Sequence, residues 1–92
     1  MNKLEISEIE IIPVKPREGL VAFTSFVLNN SLSLNSIAVY LRPNGSSYRL
    51  VYPNKILPNG KEINIFYPIH KEASEVINEA IFNKYEELLR KT

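Results

Sequence analysis

The stretch KEASEVINEAIFNKYEELLRK, residues 71–91, decides how this chain folds. Its apolar side chains recur at spacings of three and four, which places them on one side of a helix as the stripe that covers a sheet face. They are Ala73, Val76, Ile77, Ala80, Ile81, Tyr85, Leu88 and Leu89. The spacing predicts one amphipathic helix over about residues 71–90, which needs a sheet to cover.

The residues before this helix alternate between apolar and polar side chains, as half-buried strands do. The alternation predicts about five strands, over residues 3–14, 20–28, 31–42, 47–52 and 62–67. It slips by one residue between Ile6 and Ile9, and again near Asn35-Ser36. A β-bulge in each strand would cause such a slip.

Turn residues separate the predicted strands. Asn29-Asn30 suits a tight hairpin because asparagine tolerates positive φ. Pro43-Asn44-Gly45 and Pro58-Asn59-Gly60 are both typical of turns, with proline at the first corner and glycine free to take the left-handed conformation.

The pattern therefore predicts a single α+β domain over residues 1–92, an antiparallel sheet of about five strands covered on one face by a single C-terminal helix. A length of 92 residues with 45% hydrophobic content is enough for one core and too short for two domains. Leu20 to Leu28 is apolar on both of its faces, which indicates a central strand or a strand with one face that awaits a partner. Phe23 and Val27 on the second face favour a dimer.

Composition argues against catalysis. The chain has no cysteine, no aspartate and one histidine, His70, so nucleophile, base and metal-ligand sets are all missing. His70 lies just before the predicted helix, where a loop or capping role is expected. We expect no enzyme activity, no cofactor, no metal and no small-molecule substrate. The absence of a membrane span, a signal core and cysteine favours the cytoplasm and no membrane partner.

Charge is unevenly distributed although the net charge is only +1. Between Gly19 and Lys61 there is no acidic residue, while the helix is acidic. The cations of this middle segment are Arg42, Arg49, Lys55 and Lys61, interleaved with Tyr48, Tyr52, Asn44, Asn54 and Asn59. Cations neutralise phosphates, tyrosines stack on unpaired bases and asparagines reach base edges, so the composition suits nucleic acid. The alternative is that the tyrosines are core residues and the cations keep loops soluble.

Three pieces in fixed order resemble the stage V sporulation protein G (SpoVG) family of septation regulators. The first is ISEIEI at 6–11 followed by LVAFTSFVL at 20–28, and the second is LNSIAV at 34–39. The third is PNKILPNG at 53–60, then IFYPI at 65–69, then a helix with Ile77, Ala80, Ile81 and Tyr85. The likeness extends from about Leu4 to Leu89.

The resemblance implies a small dimeric α+β protein that binds DNA and RNA and tunes gene expression, with no cofactor. The family's Pro-x-Lys-Arg-x-Pro-Asp-Gly pattern is matched at Pro53, Lys55, Pro58 and Gly60, which makes Lys55 the best-supported phosphate contact. Three positions depart from the family. Ile56 replaces an arginine, Asn59 replaces an aspartate, and Tyr67 replaces a histidine. The lost cation is expected to weaken the electrostatic share of binding.

The leading hypothesis is thus a homodimeric nucleic-acid-binding regulator, linked to septation or sporulation. Its candidate contacts are Lys55, Lys61, Arg49, Arg42, Asn54, Tyr52, Arg90 and Lys91. The alternative is a protein-interaction module in a division or regulatory complex, which would use the acidic helix face or the uncovered sheet face.

Overall fold

A computed structural model of the chain describes residues 4–43 and 47–91. It contains six strands and one helix within those ranges. They are β1 (Ile6–Arg17), β2 (Leu20–Leu28), β3 (Leu32–Leu41), β4 (Tyr48–Val51), β5 (Asn54–Ile56), β6 (Glu62–Asn64) and α1 (Lys71–Arg90). The predicted Pro43-Asn44-Gly45 turn extends outside the described residues.

The α+β class is confirmed, but the strands form two sheets. β1 to β4 make a four-stranded antiparallel sheet in the order β1-β2-β3-β4, while β5 pairs only with β6. The strand predicted over residues 62–67 is therefore wrong in extent, and it lies outside the main sheet, where it pairs with β5, a strand that the sequence does not predict. The Pro58–Gly60 turn explains both errors, because a tight turn pairs the segments on either side of it with each other. We call this β5–β6 unit the ribbon.

The two predicted bulges are confirmed. In β1 the register shifts between Ser7 and Glu10, with Glu8 at φ 48°; in β3 it shifts between Leu34 and Ile37, with Ser36 at φ 64°. Each bulge inserts one extra residue, and without it the next isoleucine would point away from the core face. The bulges therefore keep Ile6, Ile9 and Ile11 of β1, and Leu34, Ile37 and Val39 of β3, on the core side of the sheet.

The hairpin turns follow from residues that accept positive φ. Asn29 and Asn30, between β2 and β3, have φ of 50° and 53°, as predicted. Glu18 and Gly19 connect β1 to β2 with φ of 52° and 91°. β1 therefore runs on to Arg17, past the predicted end at residue 14, although it contains prolines. It can do so because β1 is an edge strand, where proline need not donate to a neighbour.

The core lies between the four-stranded sheet and α1. Its buried residues come from β2, β3 and one stripe of the helix, namely Ala22, Phe26, Ile37, Val39, Ile77, Ile81 and Tyr85. Tyr48 adds its ring from β4, 5.3 Å from the ring of Tyr85 and edge-on to it. Thr24 is buried here too, and its hydroxyl donates to the carbonyl of Glu10 at 2.9 Å. The helix thus covers one sheet face as predicted.

The opposite side of the sheet, which we call the outer face, is not covered by any described element. Direct cross-strand partners share a face. One row of partners crosses the sheet as Ile12, Phe23, Ala38 and Val51, and a second crosses it as Arg17, Leu20, Tyr40 and Arg49. Ile12 and Phe23 are 65% and 39% exposed, so the outer face presents an apolar row beside a row with an arginine at each end.

Candidate nucleic-acid interface

The predicted cations fall into two groups, and the first lies on the β3–β4 hairpin. Arg49 is the direct partner of Tyr40, and its Cζ lies 4.9 Å from the centroid of the Tyr40 ring. The backbone N–H of Arg42 donates to the carbonyl of Ser47 at 2.9 Å, so the pairing of the two strands extends one step further. Alternation then puts Arg42 on the same face as Tyr40 and Arg49, which is the outer face.

The second group lies on the ribbon. Lys55 pairs with Ile63, and the N–H of Leu57 donates to the carbonyl of Lys61 at 2.8 Å. Lys61 is therefore the diagonal neighbour of Lys55 on one ribbon face, where such pairs have Cα atoms about 7–8 Å apart. Both lysines are exposed. Asn54, the partner of Asn64, lies on the other ribbon face.

The turn that closes the ribbon is built by Leu57, Asn59 and Gly60. The N–H of Gly60 donates to the carbonyl of Leu57 at 2.8 Å, with Gly60 at φ 86°. The side-chain oxygen of Asn59 accepts from the N–H of Lys61 at 2.9 Å. A carboxylate could accept the same bond, so asparagine fills the structural role of the family's aspartate without its charge.

Ile56, where the family has arginine, lies on the ribbon face that carries Asn54. It is 67% exposed and is the direct partner of Glu62. An arginine there would stand opposite a carboxylate, whereas this chain leaves an isoleucine beside it. The ribbon therefore has a basic face with Lys55 and Lys61, and a second face with one acid and no cation.

Tyr52 is not placed to stack on a base. Its ring meets that of Phe66, and its hydroxyl oxygen is buried and has no hydrogen-bond partner in the described part of the chain. Burial raises the pKa of Tyr52 to about 12. Tyr48 likewise packs against Phe82 and Tyr85. For both tyrosines the structure agrees with the alternative that they are core residues.

Arg90 and Lys91 are exposed at the end of α1, away from the other candidates in sequence. Lys91 Nζ lies 3.2 Å from Glu87 Oε1, and Lys84 Nζ lies 3.8 Å from the same oxygen. The hydrogen bond from Lys91, together with the charge of Lys84, lowers the pKa of Glu87. Glu87 therefore already neutralises part of the positive charge at the helix end.

His70 occupies the N-cap position of α1, as the sequence led us to expect. Its backbone carbonyl accepts from the N–H of Ser74 at 3.1 Å, and its side chain makes no capping bond. Within residues 4–43 and 47–91, no group of three or more His, Cys, Asp or Glu side chains could hold a metal ion. No helix in those ranges combines the length and apolar character needed to cross a bilayer.

Sequence reasoning missed Arg17 and Tyr40. The strand predicted over residues 3–14 ends before Arg17, and Tyr40 is not among the predicted contacts, although it lies in the strand predicted over residues 31–42. The signal was present in the alternation, since Leu41 and Tyr48 form the last core-facing pair of the hairpin and Tyr40 must then face outward with Arg49.

Comparison with known proteins gives two matches that agree. A family model described as SpoVG matches residues 4–87. A Treponema denticola protein named "Putative septation protein SpoVG" is 29% identical over 83 residues, a span of 90% of this chain and 87% of that protein. The family match includes both sheets, the ribbon turn and all but the last turn of α1.

Proposed function

This chain belongs to the SpoVG family, and from that premise we propose that it is a homodimeric regulator that binds DNA or RNA in the cytoplasm. The observation that carries the proposal is the basic ribbon face, where Lys55 and Lys61 are diagonal neighbours on an exposed two-stranded unit. Two exposed lysines on neighbouring positions of one face can each meet a phosphate of a nucleic-acid backbone.

The surroundings of these lysines favour an anionic ligand. Of the ion pairs in the described ranges, none involves Arg42, Arg49, Lys55 or Lys61. No acidic residue lies between Gly19 and Lys61 in the sequence, and the acids that border this segment are Glu18 and Glu62. Unpaired surface cations release counterions when they meet phosphate, which is the main source of sequence-independent affinity.

A second copy of the chain would double this charge. The segment after the ribbon exposes alternate apolar side chains that a monomer leaves in water, namely Ile65, Tyr67 and Ile69. Ile69 is 74% exposed. Packing this segment against its copy would bury these side chains and bring two ribbons together, which raises the effective concentration of the second binding surface. Sedimentation at several protein concentrations measures the dimer, and a monomer throughout would contradict it.

Titration of fluorescent single-stranded and duplex oligonucleotides at rising salt tests nucleic-acid binding. We expect binding at low salt that weakens as salt rises, and weaker binding of both ligands by the Lys55→Ala, Lys61→Ala variant. The matched control is Lys84→Ala, which removes a lysine that already faces Glu87. Absence of binding at low salt, or equal affinity of the double variant and wild type, would refute the proposal.

We further propose that the regulated process in the host is septation or sporulation, because the chain matches the SpoVG family and a Treponema denticola protein named as a putative septation protein. A host strain whose chromosomal copy carries Lys55→Ala and Lys61→Ala should place or time its septa differently from the parent strain. Unchanged septa and spores in a strain that makes normal amounts of the variant would show that septation and sporulation do not depend on nucleic-acid binding by these lysines.

A protein-interaction role is the second candidate, and the exposed acids of α1 favour it. These are Glu72, Glu75, Glu79 and Glu86. A partner with a basic surface could bind this face of the helix while the ribbon stays free. Affinity capture that survives nuclease treatment and is lost in the Glu79→Lys, Glu86→Lys variant would support this role. Capture that nuclease abolishes would assign it to nucleic acid instead.

A further inference from the structure

We propose that the outer face of the four-stranded sheet is a platform for unpaired nucleotides, with Phe23 and Tyr40 as its stacking rings and Arg17, Arg42 and Arg49 as its phosphate contacts. This inference rests on the proposed function and adds that the protein binds single strands in preference to duplex. It also replaces the predicted stacking residue Tyr52 with two rings on the opposite side of the sheet.

The two rings lie at a suitable spacing. Phe23 is the direct partner of Ala38, and Tyr40 is two residues beyond Ala38 in β3. Phe23 and Tyr40 are thus diagonal neighbours, with Cα atoms about 7–8 Å apart. Stacked bases in a duplex rise by only about 3.4 Å. Two adjacent bases can reach both rings only if they unstack, which a single strand permits and a duplex resists.

Each ring has polar groups beside it that suit a nucleotide. Phe23 borders an open groove of about 390 Å³ whose other lining residues are Ile12, Thr24, Ser25, Asn35 and Ser36. The amide of Asn35 and the hydroxyls of Ser25 and Ser36 can meet the hydrogen-bonding edge of a base held against Phe23. Asn35 and Ser36 form the bulge of β3, where the Ser36 hydroxyl donates to the side-chain oxygen of Asn35 at 3.3 Å.

The guanidinium of Arg49 lies over the Tyr40 ring, with its Cζ 4.9 Å from the ring centroid, so the two side chains form one stacking unit. A guanidinium held against an aromatic ring offers its other plane to a base, because bases stack on arginine as well as on aromatic side chains. The charge of Arg49 also remains available to a phosphate. Lysine at this position would keep the charge and lose the plane.

The charge of this face fits a polyanion. Arg17 and Arg49 stand at opposite ends of one row, three strand spacings or roughly 14 Å apart. Arg42 lies on the same face one step beyond Tyr40. Alternation places Glu10, the partner of Ser25, on this face beyond Ile12, at the far end from the arginines. At the arginine end, Glu18 follows Arg17 in the turn between β1 and β2. A strand that crosses the sheet at the arginine end meets no carboxylate from β2, β3 or β4.

Equilibrium anisotropy titrations with fluorescein-labelled dT20, U20 and a 20-base-pair duplex test the platform. For the Phe23→Leu, Tyr40→Leu variant we expect a loss of single-strand affinity of about tenfold or more for each ring and little change with duplex. Arg49→Lys should show the same selectivity with a smaller loss. Leu32→Ala, which truncates an exposed apolar side chain at the far end of β3, is the control and should bind like wild type.

A second measurement locates the contact. Photocrosslinking with 5-iodouracil-substituted strands, followed by mass spectrometry, should place the modified base on peptides that contain Phe23 or Tyr40. Equal losses with single strand and duplex, or crosslinks confined to the ribbon, would overturn the platform while leaving the basic ribbon intact. Conversion of a wild-type dimer to a monomer by the Phe23→Leu, Tyr40→Leu variant would overturn it as well, because the outer face would then be the contact between copies.

Discussion

The edge of the Tyr52 ring meets the ring of Phe66, with the centroids 6.0 Å apart and the planes at 77°. The same packing buries the Tyr52 hydroxyl oxygen without a hydrogen-bond partner in the described residues. A buried hydroxyl without a partner costs about 1–3 kcal/mol. The ring contact therefore stabilises the junction between β4 and the segment after the ribbon, while the hydroxyl weakens it.

Replacing Tyr52 by phenylalanine should raise stability. Tyr52→Phe keeps the ring and removes the unpaired oxygen, so we expect the free energy of unfolding to rise by about 1 kcal/mol. Urea denaturation measures this change. Tyr67→Phe is the matched control, because Tyr67 is exposed and its hydroxyl is hydrated, and its effect should be close to zero. A loss of stability in Tyr52→Phe would mean that the hydroxyl has a partner.

The same tyrosine should make stability fall at alkaline pH. Burial raises the pKa of Tyr52 from 10.0 to about 12, so the unfolded chain loses this proton at lower pH than the folded chain. Between pH 10 and 12 the folded state binds more protons, and the free energy of unfolding falls as pH rises. Urea titrations at pH 9 and 11 should show a smaller decline in Tyr52→Phe than in wild type. Equal declines would show that Tyr52 ionises as freely in the folded state.

The course of the four-stranded sheet could be predicted because its signals are local. The slipped alternation in β1 and β3 indicated bulges, and Asn29-Asn30 indicated a hairpin that needs positive φ. The ribbon could not be predicted in the same way. Its strands are three residues each and fully exposed, so they show no alternation between buried and exposed positions.

The candidate site was predictable in composition and not in arrangement. Lys55, Lys61, Arg42 and Arg49 could be identified from charge alone. Which tyrosine faces outward depends on the register of pairing between strands. A single bulge shifts that register by one residue and so moves the following side chains to the opposite face of the sheet. Tyr52 lies among cations in the sequence, yet its ring packs against Phe66, while Tyr40 lies under Arg49.

Two glycines with similar backbone conformation should respond differently to a methyl group. Gly19 and Gly60 have φ of +91° and +86°, so alanine is strained at either position. A Cβ at Gly19 would lie 3.2 Å from the carbonyl oxygen of Leu41, whereas nothing lies within 4 Å of one at Gly60. We expect Gly60→Ala to cost about 1 kcal/mol and Gly19→Ala distinctly more. Thermal or urea unfolding of the two variants compares them, and a cost that is equal or reversed would contradict the close approach at Gly19.

A free cation and an ion-paired one should differ in what they contribute to binding. Removing Lys61 should reduce the slope of log affinity against log salt by about 0.7–0.9, the share of one phosphate contact. Removing Lys91 should change the slope much less, because Glu87 lies 3.2 Å from its ammonium group. Oligonucleotide titrations of Lys61→Ala and Lys91→Ala over the same salt range measure both slopes. Equal reductions would place the end of α1 in the interface.

Restoring the family's arginine at residue 56 should strengthen binding only in part. Ile56 is the direct partner of Glu62, so an arginine there faces a carboxylate across the ribbon before it meets any phosphate. We expect Ile56→Arg to raise low-salt affinity and to increase the salt slope by less than the full contribution of one phosphate contact. In a Glu62→Gln background the same substitution should give the full contribution, since the competing carboxylate is gone.

Ile56→Gln separates the loss of the apolar side chain from the gain of charge, and it should bind like wild type. If Ile56→Arg has the same effect with and without Glu62, pairing with Glu62 does not reduce the contribution of the arginine to binding. If Ile56→Arg has no effect in either background, this ribbon face does not approach the phosphates.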